Sequence, residues 1–129
     1  MTTHRVLDIG QCDYDHGRIS DLLRTEFEAE VVRVHSATEA LERLHNETFD
    51  LVLVNRVFDR TAEEGIDLIR KVKADAKTSD FPVMLVSNFP DSQAEAVAAG
   101  AIPGFGKAAL GESATKERLE KYLGGVGVS

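Results

Sequence analysis

The stretch DLVLVNRVFD, Asp50 to Asp59, climbs through four successive apolar residues, Leu51, Val52, Leu53 and Val54, and then stops at an asparagine with an arginine beside it. A strand with one face in water alternates apolar and polar residues. An unbroken apolar run fits a strand covered on both faces, as in a parallel sheet. Asn55 therefore belongs where a core strand meets solvent, and the residue to account for is an amide at that mouth where a carboxylate could have stood.

Outward from this run, short apolar segments alternate with helical patterns. Arg5 to Ile9 reads as a first strand, followed by Ile19, Leu22, Leu23 and Phe27 on one helix face. Val31, Val32 and Val34 form a second strand. Ser36 then starts a helix, capping it while Glu39 reaches back, with Ala37, Ala40, Leu41 and Leu44 as its buried stripe. Beyond the third strand, Gly65 to Lys73 puts Leu68, Ile69 and Val72 on one face, and Val83 to Val86 is a fourth strand. Pro90 and Ser92 open the next helix, Ser92 and Glu95 repeat the capping box, and Gly100 closes it. A fifth strand, about Ala101 to Phe105, contains Pro103, which cannot donate to a ladder and so belongs on a sheet edge. Leu119, Tyr122 and Leu123 mark the last helix, ended by Gly124 and Gly125.

The predicted fold is α/β: a doubly wound five-stranded parallel sheet of order 2-1-3-4-5 with five helices. One domain spans 1–129, with its core at about 5–123 and a short flexible tail at 124–129. In such sheets the site lies outside the carboxyl ends of the strands. Here those ends are Gly10, Gln11, Cys12 and Asp13, then Asn55, Ser87 and Lys107.

Composition narrows the function. Fifteen basic against twenty-two acidic residues leave a net charge of −7, which repels phosphate backbones and anionic lipid, so neither nucleic acid nor membrane is expected as a partner. Cys12 is the one cysteine, which excludes an internal disulfide and a multi-cysteine zinc site. Four histidines, His4, His16, His35 and His45, lack metal-ligand spacing, so no metal is expected and solvated or capping roles are assigned to them. Cys12 reads as a small packed residue. The amino terminus has no signal-like apolar run and no segment is long enough to cross a bilayer. A cytoplasmic location is the expectation.

Three segments resemble the receiver domain of response regulators of the chemotaxis-regulator type: EGIDLIRKVKADAKTSDFPVMLVSN (Glu64–Asn88), GAIPGFGK (Gly100–Lys107) and SATEALERL (Ser36–Leu44). With their spacing they cover nearly the whole chain and imply a flavodoxin-like receiver fold. In that family an acidic pair after strand one holds magnesium, an aspartate ending strand three accepts a phosphoryl group from a histidine kinase, and a Ser/Thr and a lysine bind its oxygens. Ser87 and Lys107 match the last two roles. The phosphoacceptor position is Asn55, and the acidic pair falls on Gly10 and Gln11, or on Gln11 and Cys12. The family's aromatic switch falls on Gly104, Asp59 stands where a proline is usual, and the loop before Gly65 is about two residues longer.

These departures remove the chemistry. An amide lone pair is delocalised and cannot attack phosphorus as a carboxylate does, and magnesium wants oxygen ligands that include carboxylates. The resemblance thus implies a pseudo-receiver: not an enzyme, needing no cofactor, acting by protein–protein contact with a histidine kinase, an output protein or another receiver. The partner surface is expected at Ala94, Val97, Ala98 and Phe105, and a homodimer would use the fourth helix, fifth strand and fifth helix.

Other readings stay open. Asn55 either mimics one signalling state by holding Lys107 or Ser87, or is a satisfied amide at a strand end. Arg56 either sets its guanidinium near the vacated cation position or points to solvent. Lys107, if turned into the pocket, needs a partner, and Asp13 or Asp8 is the expected one. Ser87 either binds an anion or caps the following turn. Asp8 is expected to reach the strand end. VLDIG, Val6 to Gly10, resembles the first motif of nucleotide-dependent methyltransferases but lacks the glycines that should follow it. Two alternatives therefore stand beside the first: a receiver phosphorylated on Asp59 or Asp13, and a small nucleotide- or cofactor-binding α/β protein.

Overall fold

The computed structural model describes residues 3–124; the expected cap at Gly125 and most of the expected tail lie outside them. The chain runs β1 (Arg5–Ile9), α1 (Asp13–Phe27), β2 (Glu30–Val34), α2 (Ala37–Asn46), β3 (Leu51–Asn55), α3 (Gly65–Ala74), β4 (Val83–Val86), α4 (Pro90–Ala98), β5 (Ile102–Phe105) and α5 (Ser113–Leu123). A single 3₁₀ turn, Lys107–Ala109, links the last two. All strands pair in parallel, in the order β2-β1-β3-β4-β5.

The period of two along each strand sorts the side chains onto two faces. Leu7, Ile9, Val52, Val54, Val83 and Leu85 pack with α2, α3 and α4 through Ala40, Leu44, Leu68, Ile69, Val72 and Ala96. Val6, Leu51, Leu53, Met84 and Val86 pack on the other face with α1 and α5 through Ile19, Leu23, Phe27, Leu119 and Leu123. Residues 51 to 55 are all buried, as a central strand requires. Each large aliphatic side chain sealed in this way contributes about 1.5–3 kcal/mol.

The helix starts follow local chemistry. Ser36 accepts from the Glu39 N–H at 3.1 Å, while the Glu39 carboxylate reaches back to the His35 N–H at 3.1 Å. The second capping box expected at Ser92 and Glu95 does not form. Pro90 takes the first helical position, so Ser92 already lies inside α4, and Glu95 faces Arg70 at 3.3 Å. Gly100, at φ +111°, stands just beyond the helix end. Ala96 is the buried residue of α4, and Val97 is exposed.

β5 lies on the edge and carries a bulge. Met84 faces Ile102 and Val86 faces Phe105, so Leu85 opposes both Pro103 and Gly104. A Cβ at Gly104 would run into the Leu85 carbonyl. Gln93 of α4 secures this irregular stretch: its amide donates to the carbonyls of Leu85 (2.8 Å) and Ser87 (3.1 Å) and accepts from the Gly104 N–H (3.2 Å).

Candidate functional site

Four chain segments leave the carboxyl ends of β1, β3, β4 and β5 and converge: Gly10 to Asp13, Asn55 to Phe58, Ser87 to Phe89, and Lys107. Asn55 is 6% exposed and fully engaged. Its Nδ2 donates to the carbonyl oxygens of Gly10 (3.0 Å) and Val57 (2.7 Å), and its Oδ1 accepts from the Arg56 N–H (2.9 Å). Those bonds answer why an amide stands here. A carboxylate at 55 would press an anionic oxygen against two carbonyl oxygens, with no hydrogen to give either. The amide bonds neither Lys107 nor Ser87, so it is a satisfied strand-end group.

The loop after β3 closes over β1. Asp59 N–H donates to Gly10 O at 2.9 Å, Phe58 N–H to Glu63 O at 2.9 Å, and Ala62 N–H to Phe58 O at 2.9 Å. Val57 and Glu64 form an antiparallel bridge. Ala62 takes a left-handed φ of +62° to make the bend. The result presses the Phe58 ring, 1% exposed, onto Gly10. Gly10 itself has φ +78°, and a Cβ there would overlap the ring. Phe58 was not singled out in the sequence; a large aromatic inside an otherwise polar loop, NRVFDRTAEEG, is the signal that could have marked it.

Beyond Gly10 the site residues take separate roles. The Gln11 side chain is buried, and neither its Oε1 nor its Nε2 has a partner among the described residues. Cys12 is the N-cap of α1 rather than a packing residue: its Sγ accepts from the Asp15 N–H at 3.5 Å and donates to Asp15 Oδ2 at 3.3 Å. Asp13 is exposed and paired with Arg33 at 2.7 Å. Asp59 is exposed as well.

Lys107 does turn toward the mouth, but its partner is Asp15, at 2.8 Å, and not Asp13 or Asp8. Burial works against the Asp15 anion, yet the bonds from Lys107 and Cys12 outweigh it, and the carboxyl titrates below its ordinary range. Asp15 sits in the first turn of α1, three residues past the Cys12 cap, and not next to the strand end. Asp8 does not reach the strand end either. It is fully buried under α1, with Oδ2 2.6 Å from His16 Nδ1, which takes His16 out of a solvated or capping role. Desolvation raises the Asp8 carboxyl, opposed by the hydrogen bond and charge of His16.

Ser87 accepts from the Phe89 N–H at 3.1 Å, capping the turn into α4. Asn55, Arg56, Val57, Val86, Ser87, Asn88, Phe89 and Lys107 enclose a cleft of about 170 Å³. Arg56 does not extend over Gly10. Its guanidinium stacks on the Phe89 ring, 5.0 Å from the centroid.

Of the expected partner surface, Ala94, Val97 and Ala98 are exposed on α4. Phe105 is a correction: it is 3% exposed and packs inward with Met84 and Val86, because the bulge at Pro103 and Gly104 turns it to the core. Among the described residues no group of three or more His, Cys, Asp or Glu side chains could hold a metal ion, and no helix is long and apolar enough to cross a membrane.

Comparison with known proteins follows the geometry. No family model matches the sequence. Chemotaxis protein CheY of Pseudomonas aeruginosa is 30% identical over 107 residues, 81% of this chain and 84% of that one. The signal receiver domain of a DNA-binding response regulator from Colwellia psychrerythraea superposes with a TM-score of 0.77 at 20% identity, over 92% of this chain and 96% of that chain. The receiver domain of a sensor histidine kinase from Pseudomonas aeruginosa, solved with a magnesium ion coordinated in its active site cleft, gives a TM-score of 0.72 at 15% identity, over 95% and 99%. At those identities the two structures speak to the fold alone.

Proposed function

The chain belongs to the CheY-like response regulator receiver domains of two-component signalling, and from that premise we propose that it acts as a protein-binding module whose state is not set by aspartyl phosphorylation. The observation that carries this is the bonding of Asn55: the residue at the phosphoacceptor position spends both amide hydrogens on the Gly10 and Val57 carbonyls. It has no nucleophilic atom, and turning further toward the cleft would break both bonds.

The residues do not fit a magnesium ion. A carboxylate at position 10 would need the volume that Phe58 occupies, and Gln11 presents a neutral amide. Oxygen ligands with formal charge, which a hard dication requires, are missing from both positions and from residue 55. Lys107 is neutralised by Asp15 instead of waiting for a phosphoryl oxygen. Gly104, at the position of the family's aromatic switch, has Leu85 and Gln93 packed against it, so the usual rotating ring has no place to rotate into.

Signalling then rests on constitutive contact with protein partners. The exposed small residues of α4, Ala94 and Ala98 with Val97 beside them, suit close approach by another helix. Incubation with acetyl phosphate and magnesium, read by intact mass, tests the proposal. No phosphoryl adduct is expected, and a stoichiometric base-labile adduct, on Asp13, Asp59 or elsewhere, would overturn it.

A further inference from the structure

The cleft beside Asn55 carries a second cation that the receiver resemblance does not include. Arg56 is half-buried, and among the described residues its side chain makes no ion pair and no hydrogen bond; its one contact of note is the stack on Phe89. Phe89 is 56% exposed, a large aromatic surface left in water at the cleft mouth. A guanidinium laid flat on a ring keeps its N–H donors in the plane, directed past the ring edge, where a planar acceptor can meet them in pairs.

The rest of the lining agrees in sign. Lys107 is the only other charged residue of the cleft, and its charge is already matched by Asp15. The Ser87 hydroxyl accepts from Phe89 N–H and, among the described residues, donates to nothing, so its proton is available to an incoming oxygen. On its other side Arg56 borders a pocket lined by Glu64, Asp67, Arg70 and Glu95; Asp67 and Glu95 pair with Arg70 and, among the described residues, none pairs with Arg56, so the cleft has charge for a monoanion at most.

We propose that the cleft receives an aspartate or glutamate side chain of a partner protein, held by the Arg56 guanidinium with help from the Ser87 hydroxyl, while an apolar residue next to it in the partner covers Phe89. The charge count favours a carboxylate over a phosphate dianion. The open ring favours a peptide, with neighbouring side chains, over a free ion. This rests on the reading of the chain as a constitutive protein-binding receiver and names the chemistry of what it binds.

The probe is N-acetyl-Asp-Phe-amide, with N-acetyl-Asn-Phe-amide as its neutral twin and inorganic phosphate as the free oxyanion, each titrated into the intact ¹⁵N-labelled protein. The Arg56 Nε–H and the Ser87 and Asn88 amides are followed by NMR. The expected result is a saturable shift at these groups with the aspartyl probe only, weakened about two- to fivefold in Arg56→Gln, as for loss of one exposed ion pair, and weakened in Phe89→Ala as well. Unchanged core resonances in both variants show that they fold. Equal binding of the neutral twin, tighter binding of phosphate, no shift with the aspartyl probe, or unchanged affinity in Arg56→Gln would each overturn the proposal. The phosphodonor experiment is read separately, so a failed cleft and a failed reading of the chain give different results.

Discussion

The ring of Phe58 occupies the space into which a side chain at position 10 would have to project, and Gly10 meets it with a backbone that only glycine adopts freely. Gly10→Asp therefore suffers twice, from left-handed backbone strain of about 1–2 kcal/mol and from overlap with the ring. Phe58→Ala leaves a cavity and costs about 3–5 kcal/mol. The double variant should lose clearly less than the sum of the two, since truncating the ring makes room at position 10. Urea unfolding of the four proteins checks this; strict additivity would mean that the two residues do not compete for the same volume.

Asn55→Asp, the change that restores the family's phosphoacceptor on paper, should destabilise the protein by about 2–3 kcal/mol at neutral pH, because the Val57 carbonyl loses its Asn55 donor, the Gly10 carbonyl keeps only the Asp59 N–H, and both face an anion. The new carboxyl would titrate above its ordinary range in the folded state, so the deficit should shrink toward acid pH, as the protonated form regains one donor. Thermal unfolding against pH reads both the size and the slope. A variant as stable as the parent at neutral pH would show that the amide bonds are dispensable.

Asp8 gives a pH signature of the opposite kind to that of the surface acids. Burial raises its carboxyl above the unfolded value, so the folded state holds the proton longer, and stability contributed at this site falls as pH rises above about 4. The stability of the parent minus that of Asp8→Asn should accordingly decrease with pH from that point. A flat difference between pH 4 and neutrality would show that His16 fully compensates the buried charge.

The Asp15 carboxyl is depressed, so its contribution runs the other way: present above about pH 4 and lost as pH falls through its folded value. The pair with Lys107 is partly exposed, and Asp15→Asn should cost about 0.5–1 kcal/mol at neutral pH, with the difference vanishing in acid. Denaturant titrations of the two proteins at neutral and acid pH make the comparison.

Strand and helix boundaries were legible because they are local. The apolar run at Leu51–Val54 and the capping pair Ser36 and Glu39 report on their own surroundings, and the edge position of Pro103 follows from a missing donor. The site was harder to read because its contacts are not local. Asp15 and Lys107 lie 92 positions apart, and only the sheet brings them together. The bulge that hides Phe105 is a two-against-one mismatch between strands and leaves no mark on strand composition. The role of Phe58 comes from Gly10 beneath it, a contact that no local pattern records.

The proposal of a receiver that works without phosphorylation rests on the Asn55 amide and, for the metal that phosphorylation would also need, on the closure of the cation position by Phe58 over Gly10. Titration of the labelled parent protein with manganese, followed by paramagnetic broadening of backbone amides, tests it without needing a phosphodonor. The account predicts no selective broadening of Gly10, Gln11 or Asn55 below the level seen at exposed carboxylates such as Asp59. Early and saturable loss of those three signals would contradict it.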